Sequence, residues 1–260
     1  MCEDGGLARR FAMNTVLRIL ALMTIGCVPL LGQAEASLTG EAAAEIYARL
    51  DTARPGLPIL SISPAPVPGL YAVALDDGTI LYATEDGQHL LAGDLYEIGA
   101  AGLRNRSEDV RAVRRLSLLN NVPLEDMIVF PAKGERLGVV NVFTDVDCGF
   151  CQKLHQEVPA LNARGIEVRY LAFPRAGVGS GAYDKIVSAW CASDPRAALT
   201  RLKAGDPVEP KRCANPVADQ YRLGQQLGVR GTPALFLEDG RYLPGYLPAD
   251  SLAAEMGLDG

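Results

Sequence analysis

The sequence predicts an α+β protein with two folded regions behind an N-terminal leader. Of its 260 residues, 48% are apolar and 22% are charged, which is the composition of a globular chain. Residues 37–99 contain short apolar runs separated by Gly and Pro turns, which indicates an antiparallel sheet. Residues 122–260 alternate apolar runs with helical patterns, which indicates βαβ packing.

An export signal precedes the first folded region. An apolar run of 13 residues, 19–31, follows three arginines and leads to Ala34-Glu35-Ala36, an Ala-x-Ala cleavage pattern. Because a membrane-spanning helix needs about 20 apolar residues, this run is too short to cross a bilayer. We therefore predict a cleavable signal peptide over residues 1–36. Gly26-Cys27 leaves a lipid anchor as the alternative, although Thr24 stands where a lipid-attachment signal has Leu.

Residues 37–99 are predicted to form a small α+β domain. A helix over residues 40–50 carries Ala44, Tyr47 and Ala48 at helical spacing. Four strands follow, over residues 57–62, 70–75, 79–83 and 88–91. Because about 60 residues with one thin helix bury little surface, we expect the domain to share its core or a sheet edge with a second copy.

A single helix connects this domain to the next. Residues 105–119 place Val110, Val113 and Leu116 at helical spacing among charged residues, and Ser107 is the expected N-cap. The pattern has only one apolar stripe. We therefore predict a linker helix within residues 100–121.

Residues 122–260 follow the element order of a thioredoxin fold. A continuously apolar strand (137–143), a helix (150–162) and a second strand (166–173) form a βαβ unit. The remaining predicted elements are a helical insertion over residues 182–202 and 219–227, strands at 234–237 and 242–243, and a helix at 249–256. The order predicts a thioredoxin-like domain with a helical insertion.

The composition of the chain argues against two kinds of function and directs attention to the cysteines. A net charge of −6 and the lack of any Lys/Arg run argue against a nucleic-acid partner. With only two histidines, the chain cannot build a His-rich metal centre. Export would place four cysteines in an oxidising compartment, where they normally form two disulfides. Three pairings are open, and the spacing favours Cys148–Cys151 and Cys191–Cys213.

The Cys148-Gly149-Phe150-Cys151 motif lies at the predicted start of the crossover helix. There the helix dipole and unpaired amide groups lower a thiol pKa, which makes Cys148 the predicted nucleophile. Cys151, one turn further along the same face, is placed to attack a mixed disulfide at Cys148. We expect Gly149 to allow a tight turn and Phe150 to offer an apolar surface beside the sulfur.

Metal binding and a purely structural disulfide are the alternatives for this motif. A zinc site needs four ligands, and His155 is the candidate for a third. Chain entropy assigns roughly 3 kcal/mol to a loop closed by Cys191–Cys213 and roughly 2 kcal/mol to the short loop of Cys148–Cys151. The long loop is therefore predicted to be structural and the short one a redox switch.

Gly231-Thr232-Pro233-Ala234 supplies a second signal. A cis bond before Pro233, at the start of a strand, would leave the Thr232 backbone exposed to pair with an extended peptide. We therefore predict that Thr232 and Pro233 bind the substrate backbone.

With these motifs, the mature chain resembles the DsbC/DsbG family of periplasmic thiol:disulfide interchange proteins. The resemblance extends along nearly all of it, through Leu81-Tyr82, Asp86-Gly87, residues 142–145, 151–155 and 168–175, Trp190-Cys191, and residues 224–229, 231–234 and 244–246.

The resemblance implies a V-shaped homodimer, joined through cystatin-like N-terminal domains, that reshuffles or reduces the non-native disulfides of misfolded exported proteins. Cys148 would attack the substrate and Cys151 would resolve the adduct. Gly149, Phe150, Thr232 and Pro233 would contact the substrate, and Cys191–Cys213 would be structural. The resemblance also implies a periplasmic location, reduction by the membrane reductase DsbD, and no cofactor or metal beside the redox-active Cys148–Cys151 disulfide.

Two departures from the family pattern and one difference from thioredoxin itself qualify this interpretation. Phe150 stands where the DsbC branch carries Tyr, and Asp147 replaces a neutral residue, where its charge is expected to oppose thiolate formation at Cys148. Val142 stands where thioredoxin itself has a buried carboxylate, which should suit shuffling better than rapid reduction. A DsbG-like reductase that protects oxidised single cysteines and a holdase chaperone stay open as alternatives. In residues 176–230 we predict no site beyond the disulfide.

Overall fold

The structure is a computed structural model that describes residues 37–38, 40–100 and 102–258. The predicted signal peptide over residues 1–36, which includes Cys2 and Cys27, lies outside the described residues. Within the described ranges, no helix combines the length and the apolar character needed to cross a membrane.

A meander of short strands forms the first sheet. The strands are β1 (Ser37–Leu38), β2 (Ile59–Pro64), β3 (Leu70–Leu75), β4 (Ile80–Thr84) and β5 (Leu90–Ala92). They lie in this order across the sheet, with β1 parallel to β2 and the other neighbours antiparallel. The strand predicted at residues 70–75 is confirmed, and the other three lie within two residues of their predicted bounds.

Helices cover both faces of this sheet. α1 (Glu41–Ala53) packs on one face, and Val110 of α2 (Arg106–Asn120) packs on the other. Because successive side chains of a strand point to opposite faces, the last four residues of β3 are all buried. The sheet therefore completes its core with a helix of the same chain, while the sharing of a sheet edge with a second copy stays a prediction.

The apolar face predicted for α1 is wrong. Ala44, Tyr47 and Ala48 are exposed, whereas Ala43, Ile46 and Leu50 are buried. Several adjacent apolar positions in this helix fit more than one stripe. Contact with the sheet decides between them.

A hairpin leads directly into α2. Strands β6 (Tyr96–Gly99) and β7 (Gly102–Asn105) pair antiparallel, so the first residues of the predicted linker segment form a strand. The N-cap predicted at Ser107 is wrong, because Asn105 accepts the hydrogen bond from the Glu108 N–H. Ser107 is buried instead, with its hydroxyl 2.7 Å from that of Tyr82.

The second sheet has a different topology. Its strands are β8 (Ile128–Phe130), β9 (Gly138–Thr144), β10 (Ile166–Ala172), β11 (Ala234–Leu237) and β12 (Tyr242–Pro244), in the order β12-β11-β9-β10-β8. β9 and β10 are parallel, and the other neighbours are antiparallel. All seven residues of β9 are buried, as its apolar sequence predicts.

Helices surround this sheet. The crossover helix α3 (Gly149–Ala163) joins β9 to β10, and α7 (Ala249–Glu255) ends the described chain. The insertion forms α4 (Gly181–Trp190), α5 (Pro195–Ala204) and α6 (Val217–Gln226). A disulfide joins Cys191, at the end of α4, to Cys213, 22 positions later in the loop before α6.

α2 contacts the second sheet through a face that differs from the predicted stripe. Val113 is exposed, whereas Ala112, Arg115 and Leu119 are buried. Ala112 meets Gly240, in the turn between β11 and β12, and a Cβ on Gly240 would lie closer than 3.0 Å to three backbone atoms of Ala112. Arg114 also donates to the backbone carbonyls of Asp76 and Gln226. The helix therefore contacts the second domain at the turn between β11 and β12 and at the end of α6.

This close approach yields a stability prediction. Gly240→Ala should lower the free energy of unfolding by more than about 2 kcal/mol, because the new Cβ meets the α2 backbone and φ is +82°. Gly205→Ala is the matched control, since φ there is +88° with nothing within 4 Å of the new Cβ, and it should cost only about 1 kcal/mol. Urea unfolding measures both. Equal costs would contradict the importance of the contact.

Candidate active site

The cysteine motif lies where β9 ends and α3 begins. Cys148 is the N-cap of α3, and Cys151 lies in its first turn. In β11, Ala234 pairs with Phe143 of β9, so the residues just before β11 lie beside the end of β9. The peptide bond between Thr232 and Pro233 is cis. The fold thus brings together both motifs that the sequence singled out.

The surroundings of Cys148 favour its thiolate. Burial alone would raise the pKa of Cys148, but the polar groups of Thr232 and Cys151 beside the sulfur outweigh it, together with the charge of Arg175. The net result is a lowered pKa. As a thiol, Cys148 donates to the Thr232 carbonyl at 3.1 Å. The sulfur therefore touches the strand end that was predicted to bind substrate.

Cys151 has the opposite character. It is fully buried, and desolvation raises the pKa of its thiol. The charge of Lys203, the backbone N–H of Asp145 and the hydroxyls of Thr144 and Thr232 act against this rise. Both motif cysteines are free thiols in the structure. Cys148 can thus attack as a thiolate, whereas Cys151 stays a protonated thiol.

A buried carboxylate fixes the loop before Cys148. Asp145 accepts hydrogen bonds from the backbone N–H of Asp147 and from the backbone and side chain of Arg175. Arg175 donates a further bond to the Asp147 carbonyl. This ion pair places a cation near Cys148. Neither residue was a predicted site residue, although both lie in segments that carry the family resemblance.

Asp147 is already paired in the structure. Its two carboxylate oxygens accept from the Lys185 ammonium at 2.8 and 3.1 Å. Lys185 belongs to α4, 38 positions along the chain, so the sequence around the motif gave no sign of this partner. The cation offsets part of the charge that was expected to oppose the Cys148 thiolate.

Phe150 projects from the first turn of α3 into solvent. The residue is 64% exposed, and its ring stacks on that of Tyr246, with 6.5 Å between the ring centroids. The Lys153 ammonium lies 4.5 Å from the centre of the Tyr246 ring. Phe150 and Tyr246 thus form an aromatic surface beside the motif. The reason proposed for Gly149 is wrong, because its φ is not positive and a Cβ there would meet nothing within 4 Å.

His155, the candidate third metal ligand, lies inside the domain. Its Nδ1 is 3.0 Å from the Tyr170 hydroxyl and its Nε2 is 3.0 Å from the Thr200 hydroxyl. Burial and the charge of Lys203 lower the pKa of His155 to about 4. Both ring nitrogens are thus engaged with hydroxyls. Among the described residues, no group of three His, Cys, Asp or Glu side chains could hold a metal ion.

Lys203 is a further residue of this site that the sequence interpretation missed. It comes from α5 in the insertion and is only 4% exposed. Its Nζ donates to the Thr144 hydroxyl at 2.6 Å and to the Asp145 carbonyl at 2.8 Å. The prediction that the insertion contributes only a disulfide is therefore wrong. One signal was present, since Lys203 follows the apolar Leu199 by four residues and so shares its buried helix face.

Comparisons with known proteins identify the family. The family of thioredoxin-like domains matches residues 124–258, and the N-terminal domain of disulfide bond isomerase proteins matches residues 36–106. The thiol:disulfide interchange protein DsbC of Escherichia coli strain K12 is 41% identical over 214 residues, which cover 82% of this chain and 88% of that protein. The chain belongs to the DsbC family of thiol:disulfide interchange proteins.

A second curated relative and a solved structure are also similar to this chain. DsbC of Dickeya dadantii is 39% identical over 219 residues, covering 84% of this chain and 89% of that protein. A solved disulfide interchange protein from Neisseria gonorrhoeae is 32% identical and covers 53% of this chain and 98% of that chain, with a TM-score of 0.48.

Membership of the DsbC family settles the class of protein. The predicted fold, an α+β chain with a thioredoxin-like domain, is confirmed. The chain is a thiol:disulfide interchange enzyme of the disulfide isomerase class, as predicted. Enzymes of this class carry their redox chemistry on a cysteine pair.

The Asp147–Lys185 pair yields a prediction for the DsbC-type motif. Lys185→Ala should raise the pKa of Cys148, because it leaves the Asp147 charge unpaired, and Asp147→Thr should lower it. Both effects should be modest, since a half-exposed ion pair contributes at most about 1 kcal/mol. The pH dependence of Cys148 alkylation measures them.

Lys211→Ala serves as the control, because Lys211 pairs with Glu209 rather than with a residue of the motif. It should leave the profile of Cys148 unchanged. An unchanged or lower pKa in Lys185→Ala would show that Asp147 does not influence the thiolate.

Proposed function

We propose that this chain is a periplasmic protein disulfide isomerase in which Cys148 is the nucleophile and Cys151 the resolving cysteine. The Cys148 thiolate attacks a non-native disulfide, forming a mixed disulfide with one substrate sulfur and releasing the other as a thiolate. That thiolate then attacks a different substrate disulfide, and a substrate thiolate finally releases Cys148. The cycle rearranges disulfides without net oxidation or reduction.

Cys151 provides a second route by which the mixed disulfide is resolved. When rearrangement stalls, its thiolate attacks the Cys148 sulfur, which leaves a Cys148–Cys151 disulfide and a reduced substrate. A reductant must then reduce the pair again. An isomerase that starts as a thiolate has to be kept reduced. We propose that the membrane reductase DsbD carries out this reduction.

The observation that carries the proposal is the contrast between the two sulfurs. Cys148 is stabilised as a thiolate at the N-terminus of α3, whereas burial keeps Cys151 protonated behind it. The nucleophile is therefore reactive while the resolving thiol is slow. This difference gives a bound substrate time to rearrange before it is released.

The substrate is proposed to lie along the cis-Pro strand. Cys148 contacts the Thr232 carbonyl, and Pro233 precedes β11, so an extended peptide can pair with the Thr232 backbone beside the attacking sulfur. Gly149 and the exposed ring of Phe150 border the same place, and Tyr246 extends this surface. An aromatic surface suits unfolded chains, because they expose apolar side chains that folded proteins bury.

A homodimer joined through the N-terminal domain is proposed from the exposed strands. The backbone edge of β5 and the β6–β7 hairpin face solvent, and they carry exposed apolar side chains at Leu90, Leu91, Tyr96, Ile98 and Leu103. An exposed apolar edge strand is a template for pairing with a second chain. We propose the domain division 37–99, 100–121 and 122–260, with the first region as the dimerisation domain. Removal of residues 1–36 on export would leave this mature form in the periplasm.

Recovery of activity by a protein with scrambled disulfides tests the proposed function. In a mildly reducing glutathione buffer, wild type should accelerate recovery at least about tenfold over buffer, and Cys148→Ala should lose this effect completely. Cys151→Ala keeps the nucleophile and is the matched control. It should retain part of the isomerisation while losing net reduction.

Each alternative activity predicts a different result in this assay. Suppressed aggregation without recovery, equal in wild type and Cys148→Ala, would establish a holdase instead. Reduction of single oxidised cysteines with no recovery of scrambled protein would establish a DsbG-like reductase. Recovery that persists in Cys148→Ala would show that another group is the nucleophile.

A further inference from the structure

A buried lysine lies under the cysteine pair with no part yet in the reaction. Lys203 reaches from α5 to the end of β9, where its two hydrogen-bond partners are a hydroxyl and a carbonyl oxygen. Uncharged oxygens compensate only part of the cost of burying an ammonium group. A lysine that only held the fold together would be a costly choice at this position, because an apolar side chain fits such a site without that penalty.

Thr144 connects Lys203 to the resolving cysteine. Its hydroxyl oxygen accepts a hydrogen bond from the Lys203 ammonium at 2.6 Å. The same hydroxyl lies near enough to the Cys151 sulfur to lower the pKa of that thiol. A hydroxyl can accept one hydrogen bond and donate another at the same time. Thr144 is therefore placed between the nitrogen and the sulfur with a single exchangeable proton.

We propose that Lys203 receives the proton of Cys151, through the Thr144 hydroxyl, when Cys151 resolves the mixed disulfide at Cys148. The proposal rests on the proposed function, in which Cys151 is the resolving thiol. Thr144 gives its hydroxyl proton to neutral Lys203 and takes the thiol proton of Cys151, which becomes a thiolate. The thiolate then bonds to the Cys148 sulfur, and the substrate sulfur leaves with the electron pair of the broken bond. Lys203, as a positioning residue, ends the step as an ammonium.

The protonation of Lys203 suits this step. Desolvation lowers the pKa of Lys203 to about 8, although the nearby cysteines and aspartates act to raise it. Roughly a tenth of the lysine is therefore neutral at pH 7 and can accept a proton. The charge it then carries lies beside the new thiolate and stabilises it. The pair Cys151–Lys203 thus ionises as one unit.

Two neighbours of Lys203, His155 and Tyr170, are poor competitors for this proton. Burial and the charge of Lys203 lower the pKa of His155 to about 4, and burial raises the pKa of Tyr170 far above neutrality. Asp145 and Asp147 are held in ion pairs by Arg175 and Lys185. Cys148 is bonded to the substrate at this stage and cannot titrate.

Solvent has a route to the lysine. Gln152, His155, Thr200 and Lys203 line a cavity of about 560 Å³ beside α3 and α5. The cavity has room for water molecules beside the polar groups of these four residues, and such water can take a proton from Lys203 after the step. The lysine can therefore return to its neutral form between turnovers.

Reaction of the reduced protein with one equivalent of dithionitrobenzoate separates the two steps. Formation of the mixed disulfide at Cys148 releases one coloured thiol, and its resolution by Cys151 releases the second. In Lys203→Met, the second phase at pH 7 should slow at least about tenfold, with its pH midpoint shifted upward by about one unit or more. The first phase should keep its wild-type rate within about threefold. Lys211→Met, in the same insertion, is the control and should leave both phases unchanged.

The two Thr144 variants test the route of the proton. Thr144→Ser keeps the hydroxyl and should resolve within about twofold of wild type, whereas Thr144→Val should slow the second phase at least about tenfold. This comparison also decides the case if Lys203→Met does not fold. Equal second phases in wild type, Thr144→Val and any folded Lys203→Met would overturn the inference.

A change in stability alone does not mimic the expected result. A purely structural role of Lys203 would lower the melting temperature of the oxidised protein while leaving the pH midpoint of the second phase in place, and that outcome also overturns the inference. A first phase that survives in Cys148→Ala would instead contradict the proposed function. The two failures are therefore distinguishable.

Discussion

The antiparallel pairing of β11 with β9 is the constraint on which the site depends. It sets Ala234 opposite Phe143, so the cis-Pro segment and the first turn of α3 meet at one end of the sheet. Cys148 touches Thr232 only because of this register. A shift of one residue would turn the buried side chains of both strands to the opposite faces of the sheet. Burial on both faces of β9 therefore protects the active-site geometry as well as the core.

Four residues of one motif give two cysteines with opposite pKa shifts. Cys148 caps α3 and receives hydrogen bonds that favour the thiolate, while Cys151, three positions on, lies inside the domain. Depth along a single helical turn thus separates the attacking sulfur from the resolving one. The Asp145–Arg175 pair keeps the loop before the helix in place and adds positive charge on the outer side. Inside the domain, the positive charge of Lys203 acts to lower the pKa of Cys151.

Local patterns in the sequence predicted most of the fold and the centre of the site. The order of strands and helices in the second domain follows from apolar runs and turn residues. The spacing of the motif cysteines and of Thr232-Pro233 indicates the centre of the site. The errors arose where two local solutions were equally good. Ser107 and Asn105 can both cap a helix, and only the contact of Ser107 with Tyr82 decides between them.

Charges on distant elements could not be predicted in this way. Lys185 reaches Asp147 from α4, and Lys203 reaches Thr144 from α5, 59 positions along the chain. A lysine in a helix is ordinarily a solvated residue, so its sequence position says nothing about a partner. The sequence does place Lys203 four residues after the apolar Leu199, which is a weak indication that Lys203 lies on a buried helix face. Only the packing of the insertion against α3 turns that indication into a contact.

Val142 and Lys203 together show that the proton acceptor of the resolving thiol can come from different elements of this fold. A resolving thiol in a dry site requires a group that takes its proton, and thioredoxin itself has a carboxylate on the strand position that Val142 occupies here. A carboxylate becomes neutral when it accepts the proton, whereas a lysine becomes a cation and so stabilises the thiolate that the step forms. Because the lysine is mostly protonated near neutral pH, it is available only part of the time. Resolution is then limited without being lost, which is the balance an isomerase needs between holding a substrate and releasing it.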